Sequence, residues 1–183
     1  GVEVSLWCPL EIKKPLTANH LSYCISIGIT QLPNEPDASD QALWIEALFG
    51  LSQTRSIPKE IGRLLKTREE LKPGHLISLD VPAGICSEDG RIFETGAAKA
   101  AFTLTVGLIK TGLIQDRALH YVGTLVRLDI GIPKALFNSF PNKTPLKISS
   151  NDIESHLLPE IASNASKYGR GRLFVISGCK KYK

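Results

Sequence analysis

Short apolar runs rich in β-branched residues recur along the chain, and stretches with helical periodicity separate them. A run of this kind that is bounded by turn-forming residues is typical of a buried strand. The order strand, helix, strand generates right-handed crossovers, so it predicts an open α/β sandwich with a parallel sheet and helices on its faces. The predicted strands are residues 2–6, 42–45, 76–79, 102–106, 125–130 and 172–177.

Two helices are predicted between the first strands. Residues 17–27 carry apolar side chains on one face and are followed by Gly28, a typical C-terminal cap. A second helix begins near Pro58, continues with an apolar stripe at residues 61–65 and ends before Pro73.

The composition excludes several classes of protein. The chain has 183 residues, of which 43% are hydrophobic and 22% charged, and no run approaches the roughly 20 apolar residues of a membrane span. We therefore expect a soluble globular protein. Its four cysteines lie far apart without a CxxC pair, which favours reduced thiols and a cytoplasmic location.

The last seventeen residues contain six basic and no acidic side chains. A solvated face explains this cluster better than nucleic-acid binding, because few aromatic residues are interleaved with it. Before it, composition shifts over residues 137–166, which predicts an interdomain connection. We expect one domain over residues 1–145, then a linker and the opening strand of a second domain over residues 146–183. Because the chain opens on Gly1 and contains no methionine, we expect a piece of a longer protein.

Two predicted strands end in a carboxylate. Glu46 follows one and Asp80 follows the next, and ligands of open parallel sheets bind beyond the carboxyl ends of the strands. We expect the two side chains to lie together in a site. The alternative is that they only cap loops.

A polar loop between Gly50 and the Pro58 helix is suited to an anion. Free N–H groups at a helix start and an arginine fork can together hold a phosphate, although solvated loops have the same composition. No GxGxxG or GxxxxGK[ST] motif is present. The loop comprises Gly50, Leu51, Ser52, Gln53, Thr54, Arg55 and Ser56.

Several motifs lie in series along the chain. They are Glu46-Ala-Leu-Phe-Gly50, Leu79-Asp-Val-Pro-Ala-Gly84, Thr103-Leu-Thr-Val-Gly107, Lys110-Thr-Gly112, Tyr121-Val-Gly123 and Asp129-Ile-Gly-Ile-Pro133. Taken together, these motifs resemble the NAD(P)H-hydrate epimerase family, the YjeF N-terminal domain, over roughly residues 1–134. The final segment, residues 167–178, is similar to the opening strand of an ADP-dependent hydrate dehydratase with a ribokinase-like fold. The two resemblances imply a bifunctional repair enzyme.

The resemblance implies a Rossmann-like three-layer α/β/α sandwich, truncated at its N-terminus and often dimeric. It implies an isomerase that interconverts the R and S hydrates of NADH and NADPH, with Asp80 and the loop from Gly50 to Ser56 contacting the substrate. Neither nucleic acid nor a membrane is an expected partner. The family's Gly-Asn-Asn-Gly-Gly-Asp loop would lie before Gly1.

The resemblance also implies a potassium ion. Glu46 stands where the family has a potassium-ligating Asp, and Ala83 where it has a potassium-ligating Ser. Glu46 offers a hard oxygen on a longer arm, and at Ala83 only backbone oxygens remain. These two departures favour the alternative function, a non-catalytic nucleotide-binding or dimerisation module with the same fold.

Epimerisation requires proton transfer to and from oxygen, which a positioned carboxylate can perform. We predict that Asp80 is the catalytic acid and base. Lys110 is a candidate electrostatic helper, or else a solvated loop lysine.

Overall fold

The computed structural model describes residues 1–141, 144–148, 150–154, 163–166 and 174–175. Four strands form a sheet in the order β3-β4-β5-β6, and every neighbouring pair is parallel. Two further strands, β1 and β2, pair in parallel as a separate sheet. This arrangement confirms the predicted α/β class with a mainly parallel sheet. The strands are β1 (Ser5–Leu6), β2 (Thr30–Gln31), β3 (Trp44–Glu46), β4 (Leu76–Leu79), β5 (Phe102–Val106) and β6 (Thr124–Leu128).

Helices follow β1, β3 and β5 along the chain, whereas β2 leads to β3 and β4 leads to β5 without a helix between them. The first two begin and end within two residues of their predicted bounds. Pro15 opens the first, where its missing N–H costs nothing, and Pro58 is the N-cap of the second. The helices are α1 (Pro15–Ser26), α2 (Lys59–Leu71), α3 (Asp116–Val122) and α4 (Ser150–Glu154), with 3-10 turns at Thr111–Ile114 and Lys134–Ser139.

Three predicted strand bounds are wrong. Residues 2–4 are exposed and form no strand. The third strand begins at Trp44, because the Ala42 N–H donates to Asp40 Oδ1 at 3.0 Å instead of joining the sheet. The last strand ends at Leu128, where Asp129 turns the chain by accepting the Gly131 N–H at 2.9 Å.

The helices α2 and α3 pack on the same face of the four-stranded sheet. Leu76 of β4 packs against Ile61 and Leu65 of α2, and Thr103 of β5 donates to the Val122 carbonyl of α3 at 2.7 Å. Strand neighbours in register share a face, and the register joins Ser78 to Thr103. On the opposite face, the following side chains are between 36% and 62% exposed: Ile45, Phe102, Val106, Val126 and Leu128.

The chain divides into two compact units, Gly1–Lys134 and Ala135–Lys183. The first contains both sheets and both apolar core clusters. Among the described residues of the second unit, α4 is an α-helix. The predicted strand at 172–177 and the basic tail lie largely outside the described residues. No helix within the described part of the chain is long and apolar enough to cross a membrane.

Candidate functional site

Asp80 occupies a turn that directs its side chain across the sheet edge. It follows β4, and its φ of 66° lies in the left-handed region, where aspartate is among the few tolerated residues besides glycine. Its N–H still donates to the Leu104 carbonyl at 2.9 Å. The chain therefore leaves the strand sharply at Asp80, and the carboxylate reaches the end of β5.

Lys110 holds one oxygen of the Asp80 carboxylate. The Lys110 ammonium donates to Asp80 Oδ1, to the Thr105 hydroxyl at 3.1 Å and to the Val106 carbonyl at 2.7 Å. The Val106 N–H also donates to Asp80 Oδ1, at 3.1 Å. All three Lys110 donors are thus engaged, and only 7% of the side chain is exposed. Lys110 is not the solvated loop lysine that the sequence left open.

The second oxygen of the Asp80 carboxylate faces Gly50. A Cβ built on Gly50 would lie 2.9 Å from Asp80 Oδ2, closer than real Cβ contacts allow. Gly50 therefore makes room for the carboxylate, and the two residues meet as the sequence predicts for one site. The Asp80 side chain is 22% exposed, so solvent reaches it.

We expect Gly50→Ala to lower activity more than stability. The new methyl group would displace Asp80 Oδ2, and a misplacement of about 1 Å can cost on the order of 10²-fold in rate. The fold would tolerate the change, because the atom in conflict ends a side chain and Gly50 has no left-handed φ. Turnover and the thermal unfolding midpoint of the variant test this. Equal activity at an equal midpoint would show that Asp80 need not keep its position.

The loop from Gly50 to Ser56 is fastened to the turn after β4 by Gln53. The buried Gln53 amide accepts the Gly84 N–H at 2.9 Å and donates to the Arg55 carbonyl at 2.9 Å. Ser87 adds a hydrogen bond to the Leu51 carbonyl at 3.1 Å. Gln53 therefore shapes the loop from inside. The side chains of Leu51, Ser52, Thr54 and Arg55 are exposed.

The start of α2 is less suited to an anion than the sequence indicates. The helix begins at Lys59, three residues after Ser56. Glu60 lies in its first turn and places a negative charge where an anion would gain from the helix dipole. Arg55 therefore supplies the positive charge of this loop.

Glu46 ends β3 and is buried, with 5% exposure. Its carboxylate accepts the Leu48 N–H at 2.8 Å and the Ala83 N–H at 3.1 Å. Burial raises the pKa of Glu46, and these backbone hydrogen bonds, together with one from the Ser78 hydroxyl, oppose the rise. No hydrogen bond joins Glu46 to Asp80 among the contacts of the described residues. Glu46 thus caps two turns, which is the alternative that the sequence left open for it.

The raised pKa of Glu46 predicts a pH-dependent stability. The folded state binds this proton more tightly than the unfolded state, so the contribution of Glu46 is most favourable at low pH and is lost as pH rises through the folded pKa. We expect wild type to gain stability relative to Glu46→Gln as pH falls from about 8 to about 5. Urea unfolding of both proteins across this range measures the difference. A constant difference would contradict the prediction.

The oxygens around Glu46 do not fit a potassium ion. Both carboxylate oxygens face N–H donors, and Ala83 lies in the apolar core with no exposure. No group of three metal-ligating His, Cys, Asp or Glu side chains occurs in the part of the chain that the structure describes. The carbonyls of the turn are also engaged: Pro82 by Ile85 at 3.2 Å, Ala83 by Ala98 at 2.8 Å and Gly84 by Phe93 at 2.9 Å.

Two roles in this site had no clear signal in the sequence. Lys110 follows Leu108 and Ile109 in a glycine-flanked segment. The sequence made it a candidate electrostatic helper, but nothing in that pattern predicts a buried ammonium. In the sequence, nothing distinguishes Gln53 from the other polar residues of its loop. Only the folded chain brings Gln53 to Gly84.

The family described as YjeF-related protein N-terminus matches residues 1–112, more than half of the chain. The chain belongs to this family. The matched region of this YjeF-related domain contains the Gly50–Asp80–Lys110 arrangement, and it ends just after Lys110.

Curated relatives of this YjeF-related chain are named as repair enzymes. The bifunctional NAD(P)H-hydrate repair enzyme Nnr of Synechocystis is 34% identical over the whole chain and 35% of its own length. The enzyme of the same name from Gloeobacter violaceus is 32% identical over the whole chain and 36% of its length. The NAD(P)H-hydrate epimerase of Oenococcus oeni is 30% identical over 57% of the chain and 49% of its length. The chain thus spans about a third of the bifunctional relatives.

Proposed function

We propose that this chain carries the epimerase site of an NAD(P)H-hydrate repair enzyme, an isomerase that interconverts the R and S hydrates of NADH and NADPH. The observation that carries the proposal is the Asp80 carboxylate, with one oxygen held by Lys110 and the other facing Gly50. The names of the relatives support the substrate class. They lend no support to a non-catalytic module.

Asp80 Oδ2 is the proposed proton-transfer atom. The protonated carboxyl gives its proton to the hydroxyl oxygen as the C–O bond breaks and water leaves. Water then adds to the opposite face of the ring and returns a proton to the carboxylate. If the ring opens and recloses instead, the same carboxyl serves both proton transfers.

The loop from Gly50 to Ser56 is proposed to hold the substrate's ribose and phosphates. Ser52 and Thr54 offer exposed hydroxyl groups, and Arg55 offers a fork suited to phosphate. Gln53, tied to Gly84, gives the loop its shape. The hydrates of both cofactors share these groups, so the loop suits either.

Lys110 is proposed as a positioning residue, because its three donors are engaged within the protein. We expect Lys110→Met to lower kcat by about tenfold or more while KM changes less than about threefold. Lys99→Met is the matched control, since Lys99 is a half-exposed lysine paired with Glu69. An unchanged kcat in Lys110→Met would remove Lys110 from the site.

The wider setting of the proposal follows the resemblance. It comprises an epimerase domain over residues 1–145, followed over residues 146–183 by a linker and the opening strand of a ribokinase-like dehydratase domain. A cytoplasmic location and a homo-oligomer complete the proposal. Potassium, which the resemblance implies at Glu46 and Ala83, takes part in no step proposed here.

An epimerisation assay tests the function. The R to S conversion of NADPH hydrate is followed by chromatography with the longer protein and with the 183-residue chain. Conversion by the longer protein is the expected result. Tight binding of the hydrate without conversion would overturn the proposal in favour of a binding module.

A further inference from the structure

The Glu46 carboxylate connects two strand ends. Glu46 ends β3, and its hydrogen bonds reach the Leu48 N–H on its own side and the Ala83 N–H beyond β4. The contact with Ala83 spans 37 residues of sequence and is buried. A short carboxylate bridge therefore holds together the two loops that contain Gly50 and Asp80.

The groups that point at this bridge are donors. A backbone N–H presents the positive end of its dipole, which repels a cation as much as it attracts a carboxylate. Hard cations gather several oxygens from carboxylates, carbonyls and water, and here the turn carbonyls accept N–H groups. The buried hydroxyl of Ser78 lies opposite Glu46 in the register and, as a hydrogen-bond donor, lowers the pKa of that carboxyl.

At position 83, apolar packing occupies the place that a side-chain oxygen would take. Ala83 has no exposure and packs in the apolar cluster with Ile57 and Leu76. Among the described residues, the side chains of this cluster are apolar and offer no oxygen to a cation. Among the described residues, one hydroxyl and a carboxylate that already accepts two N–H groups make an incomplete cation shell.

We propose that the Glu46 carboxylate replaces a bound potassium ion in joining these loops, so that the protein needs no potassium for stability or turnover. The claim about turnover rests on the proposed function, whereas the claim about stability does not.

The test compares potassium chloride with choline chloride at equal ionic strength, up to about 100 mM, on the longer protein. We expect the thermal unfolding midpoint to agree within about 1 °C and the epimerisation rate within about 1.5-fold, since a ligand at 100 times its Kd would raise the midpoint by several degrees. Without epimerisation in either salt the proposed function fails, but the midpoints still decide the cation question.

Two variants locate the effect. Glu46→Gln should lower the midpoint equally in both salts, because the two N–H groups bond to different carboxylate oxygens and the amide replaces one of these oxygens with an NH2 donor. Glu88→Gln, a change at an exposed carboxylate, is the matched control and should leave the midpoint unchanged. A saturable rise of the wild-type midpoint with potassium would overturn the proposal, whether or not Glu46→Gln removes it.

Discussion

Replacing Asp80 with asparagine is expected to lower the epimerisation rate by about 10²-fold or more, the usual contribution of a general acid and base. Asparagine tolerates the left-handed backbone conformation, and its side-chain oxygen can still accept hydrogen bonds from Val106 and Lys110. The change therefore removes the transferable proton and leaves the geometry. Chromatographic turnover of the hydrate measures the loss.

The control for Asp80→Asn is Asp116→Asn, the same change at an exposed carboxylate in the first turn of α3. It should keep turnover within about twofold of wild type. If Asp80→Asn retained turnover in that same range, Asp80 would have no part in the chemistry.

Replacing Arg68 with methionine is expected to lower the free energy of unfolding by about 3–5 kcal/mol, the cost of leaving buried polar groups without their charged partner. Arg68 is 1% exposed in the last turn of α2. Its guanidinium donates to the Ala38 carbonyl at 3.0 Å, to the Asp40 carbonyl at 2.7 Å and to the Ala42 carbonyl. It also stacks on Trp44, 4.6 Å from the ring centroid.

Urea unfolding of the full chain measures this effect. Lys66→Met is the matched control, because Lys66 lies on the same helix with 79% of its side chain exposed. Its unfolding free energy should stay near the wild-type value. A loss below about 1 kcal/mol in Arg68→Met would mean that the loop before β3 rearranges to satisfy its carbonyls.

The local sequence predicted most of the fold correctly. Period and turn residues identify a strand at Leu76–Leu79 and a helix at Lys59–Leu71, because both signals depend on neighbours along the chain. The start of β3 was misjudged. The run from Ala42 to Trp44 has strand composition, yet Arg68 and Asp40 capture the polar groups of Ala42.

The candidate site divides in the same way. Strand order alone predicted that Glu46 and Asp80 lie together at one sheet edge; in the structure Gly50 faces Asp80, and the hydrogen bonds of Glu46 go to Leu48 and Ala83. It could not separate the two carboxylates. The Glu46 carboxylate is buried and accepts hydrogen bonds from two backbone N–H groups, whereas the Asp80 side chain remains 22% exposed to solvent.

The sequence by itself determined the class of fold, the edge where the candidate site is expected and the resemblance to a repair epimerase, since these follow from period, order and motif. Only the tertiary structure decided that Lys110 is buried against Asp80 and that Glu46 bridges two loops. The reason is physical. Lys110 and Glu46 find these partners about thirty or more residues away in the sequence. The distance to such a partner, and the burial of the pair, are set only when the chain folds.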